Sequence, residues 1–202
     1  MILVVDYGMG NLRSVAKALE HLGASVKVSA SPRDIESADK VVLPGVGAFG
    51  DAAQELERLQ LADPLRAFLQ TKKPFLGICL GLQLLFPQSD ESQGVAGLGI
   101  LSGKVQLFRN KEIKIPHMGW NSVSFQKKHP LLRGIPDSSY FYFVHSYYAV
   151  PEKKDLVIGT AQHGETFAAI LGGESFFATQ FHPEKSQSAG LAILKNFLAW
   201  SP

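Results

Sequence analysis

One cysteine stands out among the residues that could do chemistry. Cys79 is the only cysteine in the 202-residue chain, and it lies in the stretch Phe75-Leu76-Gly77-Ile78-Cys79-Leu80-Gly81-Leu82-Gln83. Glycines stand two positions before it and two positions after it, which is the spacing of a nucleophile elbow with cysteine in place of serine. At such an elbow a strand turns sharply into a helix, whose dipole and free N–H groups favour a thiolate and can stabilise an oxyanion. The alternative interpretation is a buried structural cysteine at a strand–helix junction.

A cysteine nucleophile needs a general base, and the base needs a group that orients it. Two His-x-Glu triplets, His163-Gly164-Glu165 and His182-Pro183-Glu184, could supply both. The first lies between two strand-like runs, where a hairpin turn explains it. The second ends the apolar run Phe176–Phe181, and sites in α/β proteins collect at strand ends. Side chains two residues apart in extended backbone share a face of the strand, so His182 and Glu184 can both face one cleft. The context favours this triplet over the first, and a solvated strand end is its alternative interpretation.

Two glycines flank Val46 in the segment Pro44-Gly45-Val46-Gly47. Glycine lets the backbone approach a ligand closely and lets a peptide rotate. The Val46 N–H could therefore be a second oxyanion donor, with the Leu80 N–H as the first. The alternative is a plain turn after a strand.

Roughly the first 90 residues alternate short apolar runs with stretches of helical spacing, which predicts a parallel sheet with helices on both faces. Each apolar run is long enough for one buried strand. The predicted strands are Ile2–Val5, Ser25–Val28, Val41–Leu43 (ended by Pro44) and the run before Cys79. The predicted helices are Leu12–Leu22, a short one from Pro32, Phe49–Leu59, Asp63–Thr71 and the apolar stretch after Cys79.

After Phe86 the pattern changes to short strand-like segments separated by turn residues. This half is predicted to form mostly antiparallel strands that either pack on the sheet or extend it. The predicted strands are Gly103–Phe108, Glu112–Ile115, Ser122–Phe125, Tyr140–Val144, Tyr147–Val150, Val157–Ala161, Phe167–Leu171 and Phe176–Gln180. His145, in an apolar setting, is predicted to be a hydrogen-bonded structural histidine rather than a catalyst. A final helix is predicted over Gly190–Trp200.

The composition is that of an ordinary globular protein and excludes several function classes. The formal net charge is +2 with no basic block, so nothing indicates a nucleic-acid or anionic-membrane partner. A single cysteine cannot form an intrachain disulfide, which suits a reducing cytosol. No apolar run reaches the roughly 18–20 residues that span a bilayer, and Met1–Asp6 has the pattern of a first strand rather than a signal peptide. We therefore expect one cytoplasmic domain over residues 1–202.

The order of these motifs resembles that of the class I, or triad, glutamine amidotransferases. Their pattern is a Pro-Gly-Val-Gly segment, then a Gly-Ile-Cys-Leu-Gly-x-Gln elbow, then His-Pro-Glu near the C-terminus, and here these begin at Pro44, Gly77 and His182. Within that family, four further segments are similar to the glutaminase subunits of imidazole glycerol phosphate synthases, which act in histidine biosynthesis. They are Asp6–Leu12, Pro116–Asn121, Phe143–Tyr147 and Lys185-Ser186.

The resemblance implies a flavodoxin-like α/β fold, a central mostly parallel sheet flanked by helices with an added antiparallel region. It also implies roles for the site residues. Cys79 would attack the carboxamide of glutamine and form a γ-glutamyl thioester, with His182 as base and then acid, and Glu184 holding the imidazole tautomer. The N–H groups of Val46 and Leu80 would form the oxyanion hole. The residues that would hold glutamine are Gly47, Gln83, Ser146 and Tyr147.

The resemblance also implies a partner, a (β/α)8-barrel cyclase that would receive the ammonia and form imidazole glycerol phosphate. The expected assembly is a heterodimer, and neither a metal nor an organic cofactor is implied. The candidate contact residues are Tyr7, Asn11, Trp120 and Lys185. Trp120 is the natural anchor, because tryptophan is enriched at interface hot spots.

Other functions fit the sequence less well. Gly8-Met9-Gly10 after the first strand invites dinucleotide binding, but Arg13 stands where the third glycine should be. A papain-like protease would need different residues around its cysteine. Three alternatives remain: a glutaminase subunit of another amidotransferase, a stand-alone cysteine hydrolase of the same fold, and a non-catalytic regulatory subunit. The last is disfavoured, because Cys79, His182 and Glu184 are all in place.

Overall fold

The computed structural model describes residues 1–110 and 112–202. In the first part, strands and helices alternate as predicted, because each apolar run can be covered on both faces only when helices lie on both sides of the sheet. The strands are β1 (Ile2–Val5), β2 (Val26–Ser29), β3 (Lys40–Gly45) and β4 (Phe75–Cys79). The helices are α1 (Leu12–His21), α2 (Pro32–Ser37), α3 (Phe49–Arg58), α4 (Ala62–Leu69) and α5 (Leu80–Gln83).

The end of β3 differs from the prediction. The strand continues through Pro44 to Gly45, where the proline was expected to end it. A proline removes only its own N–H from the ladder. Pro44 still lies opposite Ile78 of β4 in parallel register, and its carbonyl accepts a hydrogen bond from the Tyr7 hydroxyl at 2.8 Å.

The helix after Cys79 is much shorter than the apolar spacing predicted. α5 is a single turn of four residues, all of them buried. The chain then leaves the helix because the Leu98 and Ile100 N–H groups bond the carbonyls of Leu84 and Leu85, each at 2.8 Å. A one-turn helix has few aligned peptide dipoles. The helix dipole is therefore a minor influence on Cys79, contrary to the expectation from the sequence.

The second part is rich in strands, as predicted. The strands are β5 (Gly103–Leu107), β6 (His117–Phe125), β7 (Ser139–His145), β8 (Tyr147–Pro151), β9 (Val157–His163), β10 (Glu165–Gly172) and β11 (Phe176–Thr179), and the last helix is α6 (Gln187–Ala199). The predicted strand Glu112–Ile115 is wrong, since these residues form turns and bends. The Asn110 side chain accepts a hydrogen bond from the Glu112 N–H at 2.9 Å, which gives the backbone a local alternative to strand pairing.

Most of the antiparallel strands extend the parallel sheet. The order of the nine-stranded sheet is β2-β1-β3-β4-β11-β10-β9-β6-β7. The first five strands of this order, β2, β1, β3, β4 and β11, pair in parallel with their neighbours. The pairs from β11 onward are antiparallel. Only β5 and β8 form a separate antiparallel pair among the described residues. The sequence left open whether the antiparallel strands extend the main sheet or form a separate one, and both arrangements occur.

Alternate residues of the central strands enter two hydrophobic cores, one on each face of the sheet. Leu3 and Val5 pack with α2, α3 and α4 in the first core, and Val4 packs with α1 and α6 in the second. The carboxyl ends of β3, β4 and β11 are adjacent, and Gly45 lies opposite Cys79. The residues expected to take part in catalysis therefore lie at this edge of the sheet. Within the part of the chain that the structure describes, no helix is long and apolar enough to cross a membrane.

Candidate active site

Cys79 occupies the corner between β4 and α5, with φ 54° and ψ −104°. A positive φ is uncommon for a residue with a side chain and costs free energy, so the surroundings must hold it. The flanking glycines permit this approach of backbones. A Cβ on Gly81 would lie 1.8 Å from the Leu43 carbonyl oxygen, and a Cβ on Gly77 would lie 2.9 Å from the Gly81 carbonyl oxygen. The strand–turn–helix geometry that the glycine spacing predicts is present.

The contact at Gly81 predicts a large effect of a small substitution. Gly81→Ala should lower the free energy of unfolding by about 3 kcal/mol or more, because its Cβ would meet backbone, which cannot rotate away. Gly134→Ala is the matched control, since Gly134 has φ +76° and no atom within 4 Å of the added Cβ. It should cost only the strain of the left-handed backbone, about 1 kcal/mol. Urea denaturation measures both, and equal losses would contradict the steric explanation.

A buried histidine–carboxylate pair stands behind the cysteine. His182 Nδ1 and Glu184 Oε1 are 2.9 Å apart, with 2% and 1% of their side chains exposed. The sequence correctly predicted that they meet, but for the wrong geometric reason. β11 ends at Thr179, and Pro183–Lys185 form a 3-10 turn that carries the carboxylate to the imidazole. The pair is made by a turn that follows the strand, and not by two neighbours on one strand face.

Cys79 is the group that interacts with the other side of the imidazole. Burial by itself lowers the pKa of His182, but the Cys79 side chain and the Glu184 carboxylate outweigh burial and raise the pKa to about 10. His182 Nε2 is buried and makes no well-aligned hydrogen bond with any described residue. Because Nε2 has no hydrogen-bond partner among these residues, it can exchange a proton with the thiol or with a substrate bound to the sulfur.

The Pro44–Gly47 segment packs against the elbow. A Cβ on Gly45 would lie 2.2 Å from the Tyr7 hydroxyl and 2.8 Å from the Leu80 Cβ. Gly45 is therefore needed for close packing, and Gly47, with φ +111°, for the turn that follows. Val46 between them is 37% exposed. Its peptide lies at the mouth of a cavity instead of in the core.

A cavity of about 250 Å³ opens above Cys79. This is the small end of the range of ligand pockets, a size for an amino acid rather than a peptide. All four residues expected to hold glutamine line it, as do the nucleophile and both expected oxyanion donors: Gly47, Gln83, Ser146, Tyr147, Cys79, Val46 and Leu80. Gln180, which is 101 positions after Cys79 in the chain, also contacts the sulfur atom.

The rival triplet lies in a hairpin, as predicted. His163 of β9 pairs with Glu165 of β10, and Gly164 between them has φ +66°. His163 Nε2 lies 3.0 Å from the Lys114 carbonyl, to which it can donate. His145 is a buried structural histidine, as predicted, with Nδ1 2.8 Å from the Tyr147 carbonyl.

The model of the glutamine amidotransferase class-I family matches residues 3–200 of this chain. The chain belongs to that family. It is 50% identical over 204 residues to the "Imidazole glycerol phosphate synthase subunit HisH" of Nitrosococcus oceani, covering 99% of this chain and 97% of that protein. It is 51% identical over 196 residues to the protein of the same name from Aquifex aeolicus, covering 96% and 94%. The resemblance read from the motifs is confirmed, and the chain is a glutamine amidotransferase.

Solved structures share the amidotransferase fold at low sequence identity. PurLQS from Thermotoga maritima superposes with a TM-score of 0.78 at 18% identity, covering 98% of this chain and 97% of that one. A glutamine amidotransferase from the same organism gives a TM-score of 0.67 at 18% identity, covering 98% and 95%. The predicted α/β class, with its mostly parallel sheet and added antiparallel strands, is confirmed.

Two polar residues of this amidotransferase site were missed in the sequence. Glu91 lines the cavity, and its carboxylate accepts a hydrogen bond from the Phe49 N–H at 2.7 Å. Gln180 is fully buried, and its Nε2 lies 3.7 Å from Cys79 Sγ. Glu91 belongs to a polar loop that carries no strand or helix signal. Gln180 had a usable signal, since it stands two residues before His182 at the end of an apolar run.

The expected partner-contact residues differ in exposure. Tyr7 is fully buried, with its hydroxyl bonded under Pro44, so its side chain is unavailable and that prediction is wrong. Asn11 is half-buried. Trp120 is 46% exposed, and the exposed Lys185 places its Nζ 5.8 Å from the centre of the Tyr142 ring. The Tyr142 ring also packs edge-on against Trp120, at 6.1 Å between centroids. Trp120, Tyr142 and Lys185 therefore form one continuous surface, called here the tryptophan surface.

Proposed function

We propose that this chain is the glutaminase subunit of an imidazole glycerol phosphate synthase, hydrolysing glutamine to glutamate and ammonia. Residues 1–202 would form a single amidotransferase domain. The observation that carries the proposal is the buried His182–Glu184 pair beside Cys79, at the base of a cavity of about 250 Å³. A buried charge pair is costly unless it has a function or full compensation, and this one faces the single nucleophile of the site.

The reaction follows from these positions. The raised pKa of His182 lets the imidazole hold the proton that the Cys79 thiol gives up. The sulfur attacks the carboxamide carbon, and the N–H groups of Val46 and Leu80 stabilise the oxyanion. His182 gives its proton to the leaving nitrogen, so ammonia departs and a γ-glutamyl thioester remains. Water, deprotonated by His182, then releases glutamate, while Glu184 keeps the imidazole oriented. No cofactor takes part in these steps.

Polar groups around the cavity would select glutamine. The carboxylate of Glu91 lines the cavity and suits the α-ammonium group. Gln83 uses its NH2 group for bonds to the Tyr147 carbonyl at 2.9 Å and to the Gln180 side chain at 3.1 Å. Its Oε1 therefore remains as an acceptor, again for an ammonium group. Gly47, Ser146 and Tyr147 would complete the contacts to the substrate.

The ammonia needs an acceptor, which a second subunit would supply. We propose a (β/α)8-barrel cyclase in a cytoplasmic heterodimer. It would join ammonia to an aminoimidazole-carboxamide ribonucleotide intermediate and yield imidazole glycerol phosphate. Large apolar side chains are exposed at Val46, which lines the cavity, at Ile115, which precedes the cavity-lining Pro116, and at Met118 and Trp120 of β6. Because apolar groups rimmed by polar ones mark interaction sites, the tryptophan surface is the proposed docking face.

This proposal predicts that the isolated chain is a poor glutaminase. A missing oxyanion donor costs about 10²–10³ in rate, and the two glycines around Val46 allow its peptide to turn away from the site. We expect glutamine hydrolysis to rise stepwise when the cyclase is added and again when its ribonucleotide ligand is added. The measurement is glutamate release by the isolated chain, then at increasing cyclase concentration, and then with the ribonucleotide ligand added.

The matched variants are Trp120→Ala and Lys185→Ala, which should weaken the stepwise rise. Lys17→Ala is the control, because Lys17 is an exposed lysine on α1 with no place in the tryptophan surface. Full activity of the isolated chain would contradict the proposal and favour a stand-alone hydrolase. An equal effect of Lys17→Ala would contradict the docking face.

A further inference from the structure

Gln180 lies beside the nucleophile and contacts both Cys79 and Gln83. It is fully buried, and its backbone N–H is tied to the Ala169 carbonyl at 2.9 Å. Its Nε2 donates towards Cys79 Sγ at 3.7 Å, while its Oε1 accepts from Gln83 Nε2 at 3.1 Å. Both ends of the amide are therefore used, and one of them touches the reacting sulfur.

The neighbours of Gln180 determine which end faces the sulfur. Gln83 Nε2 also lies 2.9 Å from the Tyr147 carbonyl, which can only accept. Gln83 must therefore present its NH2 group to Tyr147 and, with the second hydrogen, to Gln180. The oxygen of Gln180 is then turned towards Gln83. Its NH2 group is the end that faces Cys79, so the sulfur receives an N–H donor.

The Tyr147 carbonyl is fixed in turn by a chain of buried histidines. It accepts from His145 Nδ1 at 2.8 Å, so that nitrogen carries the hydrogen. His145 Nε2 then accepts from His117 Nδ1 at 2.9 Å. His117 Nε2 accepts from Asn121 Nδ2 at 3.1 Å, and the same NH2 group donates to the Gln162 carbonyl at 2.8 Å. The Gln162 carbonyl ends this series of hydrogen bonds, and each bond in the series has one possible donor.

The order of donors requires that both rings are neutral, and their surroundings satisfy this. Burial lowers the pKa of His145 to about 3, with nearby histidines lowering it further against the bond to Tyr147. Burial and the neighbouring His163 lower the pKa of His117 to about 4. Both imidazoles stay neutral over the whole pH range in which cysteine chemistry is measured. The chain from Asn121 to Gln83 therefore keeps one arrangement.

We propose that Gln180 stabilises the Cys79 thiolate by donating an amide N–H to the sulfur, and that the chain from Asn121 to Gln83 holds the amide in this orientation. A hydrogen bond to the charged form of a group favours that form. The sulfur has a different partner when it carries a proton, because the Val144 carbonyl lies 4.0 Å away and accepts from the thiol. Gln180 therefore acts on the thiolate and Val144 on the thiol.

This inference depends on the proposed function only in taking Cys79 as the nucleophile. The titratable groups nearest the sulfur are His182, with Glu184 behind it, and Tyr7, whose pKa is raised first by burial and then by the charge of Cys79. Glu91, His145 and Tyr147 line the same cavity as Cys79. Gln180 carries no charge, so replacing it changes a hydrogen bond and leaves all of these groups in place.

The test measures the rate of alkylation of Cys79 by iodoacetamide as a function of pH. Cys79 is the only cysteine, so the adduct mass reports this residue alone. Gln180→Met keeps the length of the side chain and removes both the donor and the acceptor. The pH of half-maximal rate should rise by about one unit, with about tenfold slower alkylation at lower pH, as expected for the loss of a bond to a charged group. Gln180→Leu serves if the methionine variant does not fold.

Two further variants make the test specific. Thr179→Val is the matched control, since Thr179 is also fully buried and its hydroxyl donates to the Phe181 carbonyl instead of the sulfur. Its midpoint should not move. His145→Leu releases the Tyr147 carbonyl, and the midpoint should move in the same direction as in Gln180→Met but by less.

Unchanged midpoints in folded Gln180 variants would overturn the proposal. An unchanged midpoint in His145→Leu alone would remove the histidine chain from it. Because iodoacetamide needs no glutamine and no partner, these results stand even if the chain proves not to be a glutaminase.

Discussion

Replacing Cys79 with alanine should abolish glutamine hydrolysis, with a loss of about 10⁶-fold, while the protein stays folded. The reason is that Cys79 is the cavity-lining nucleophile that interacts with His182, and an alanine side chain cannot form the acyl intermediate. Alanine keeps the Cβ that the corner position already accommodates at φ 54°, so the elbow gains no new strain. Glutamate release by the cyclase complex is the measurement.

The same variant carries its own control. Ammonia added from outside bypasses the thioester, so the complex with Cys79→Ala should still make imidazole glycerol phosphate from ammonium salts. Loss of this second activity as well would mean that the substitution damaged the assembly. Retained glutaminase activity would show that Cys79 is not the nucleophile.

The second large effect is expected at the general base. His182→Ala should lower the glutaminase rate by about 10⁴-fold or more, because one imidazole both accepts the first proton and supplies the leaving group with its proton. His163→Ala should change the rate by only a few-fold, since this ring bonds the Lys114 carbonyl at the hairpin and stacks on His117 at 4.2 Å. Both variants are compared by kcat and KM for glutamine.

A second variant separates catalysis from stability at this position. Removing the imidazole leaves the buried Glu184 carboxylate without its partner, which is itself destabilising. His182→Asn retains an N–H that can reach the carboxylate but has no group that can exchange a proton with the sulfur. It should fold better than His182→Ala and be equally inactive. Comparable losses in His182→Ala and His163→Ala would refute the assignment of the base.

Local patterns in the sequence predicted the elbow, because they report constraints that act over a few residues. The glycines around Cys79 have the spacing that a sharp strand–helix turn needs, and the structure has backbone where a Cβ would lie. The hairpin at Gly164 and the alternation of strands and helices could be predicted from sequence for the same reason. The length of α5 could not be predicted, because the N–H groups of the distant Leu98 and Ile100 bond the carbonyls of Leu84 and Leu85, the two residues that follow the helix.

The contacts that complete the site were decided by the order of strands in the sheet. β11 pairs with β4, which is distant in sequence, as well as with the neighbouring β10, and this puts Gln180 against Cys79. The sequence marked Tyr7 as a contact residue, but packing under the Pro44 carbonyl buried it.

Sequence alone therefore determined the family and predicted the nucleophile and its candidate base, since each is carried by a short segment whose spacing has a local steric or chemical cause. Only the tertiary structure decided that His182 and Glu184 meet through a turn, that Glu91 lines the cavity, and that Gln180 donates to the sulfur. The physical reason is that burial and hydrogen-bond partners depend on which distant segments pack together, and the same local pattern is compatible with several packings.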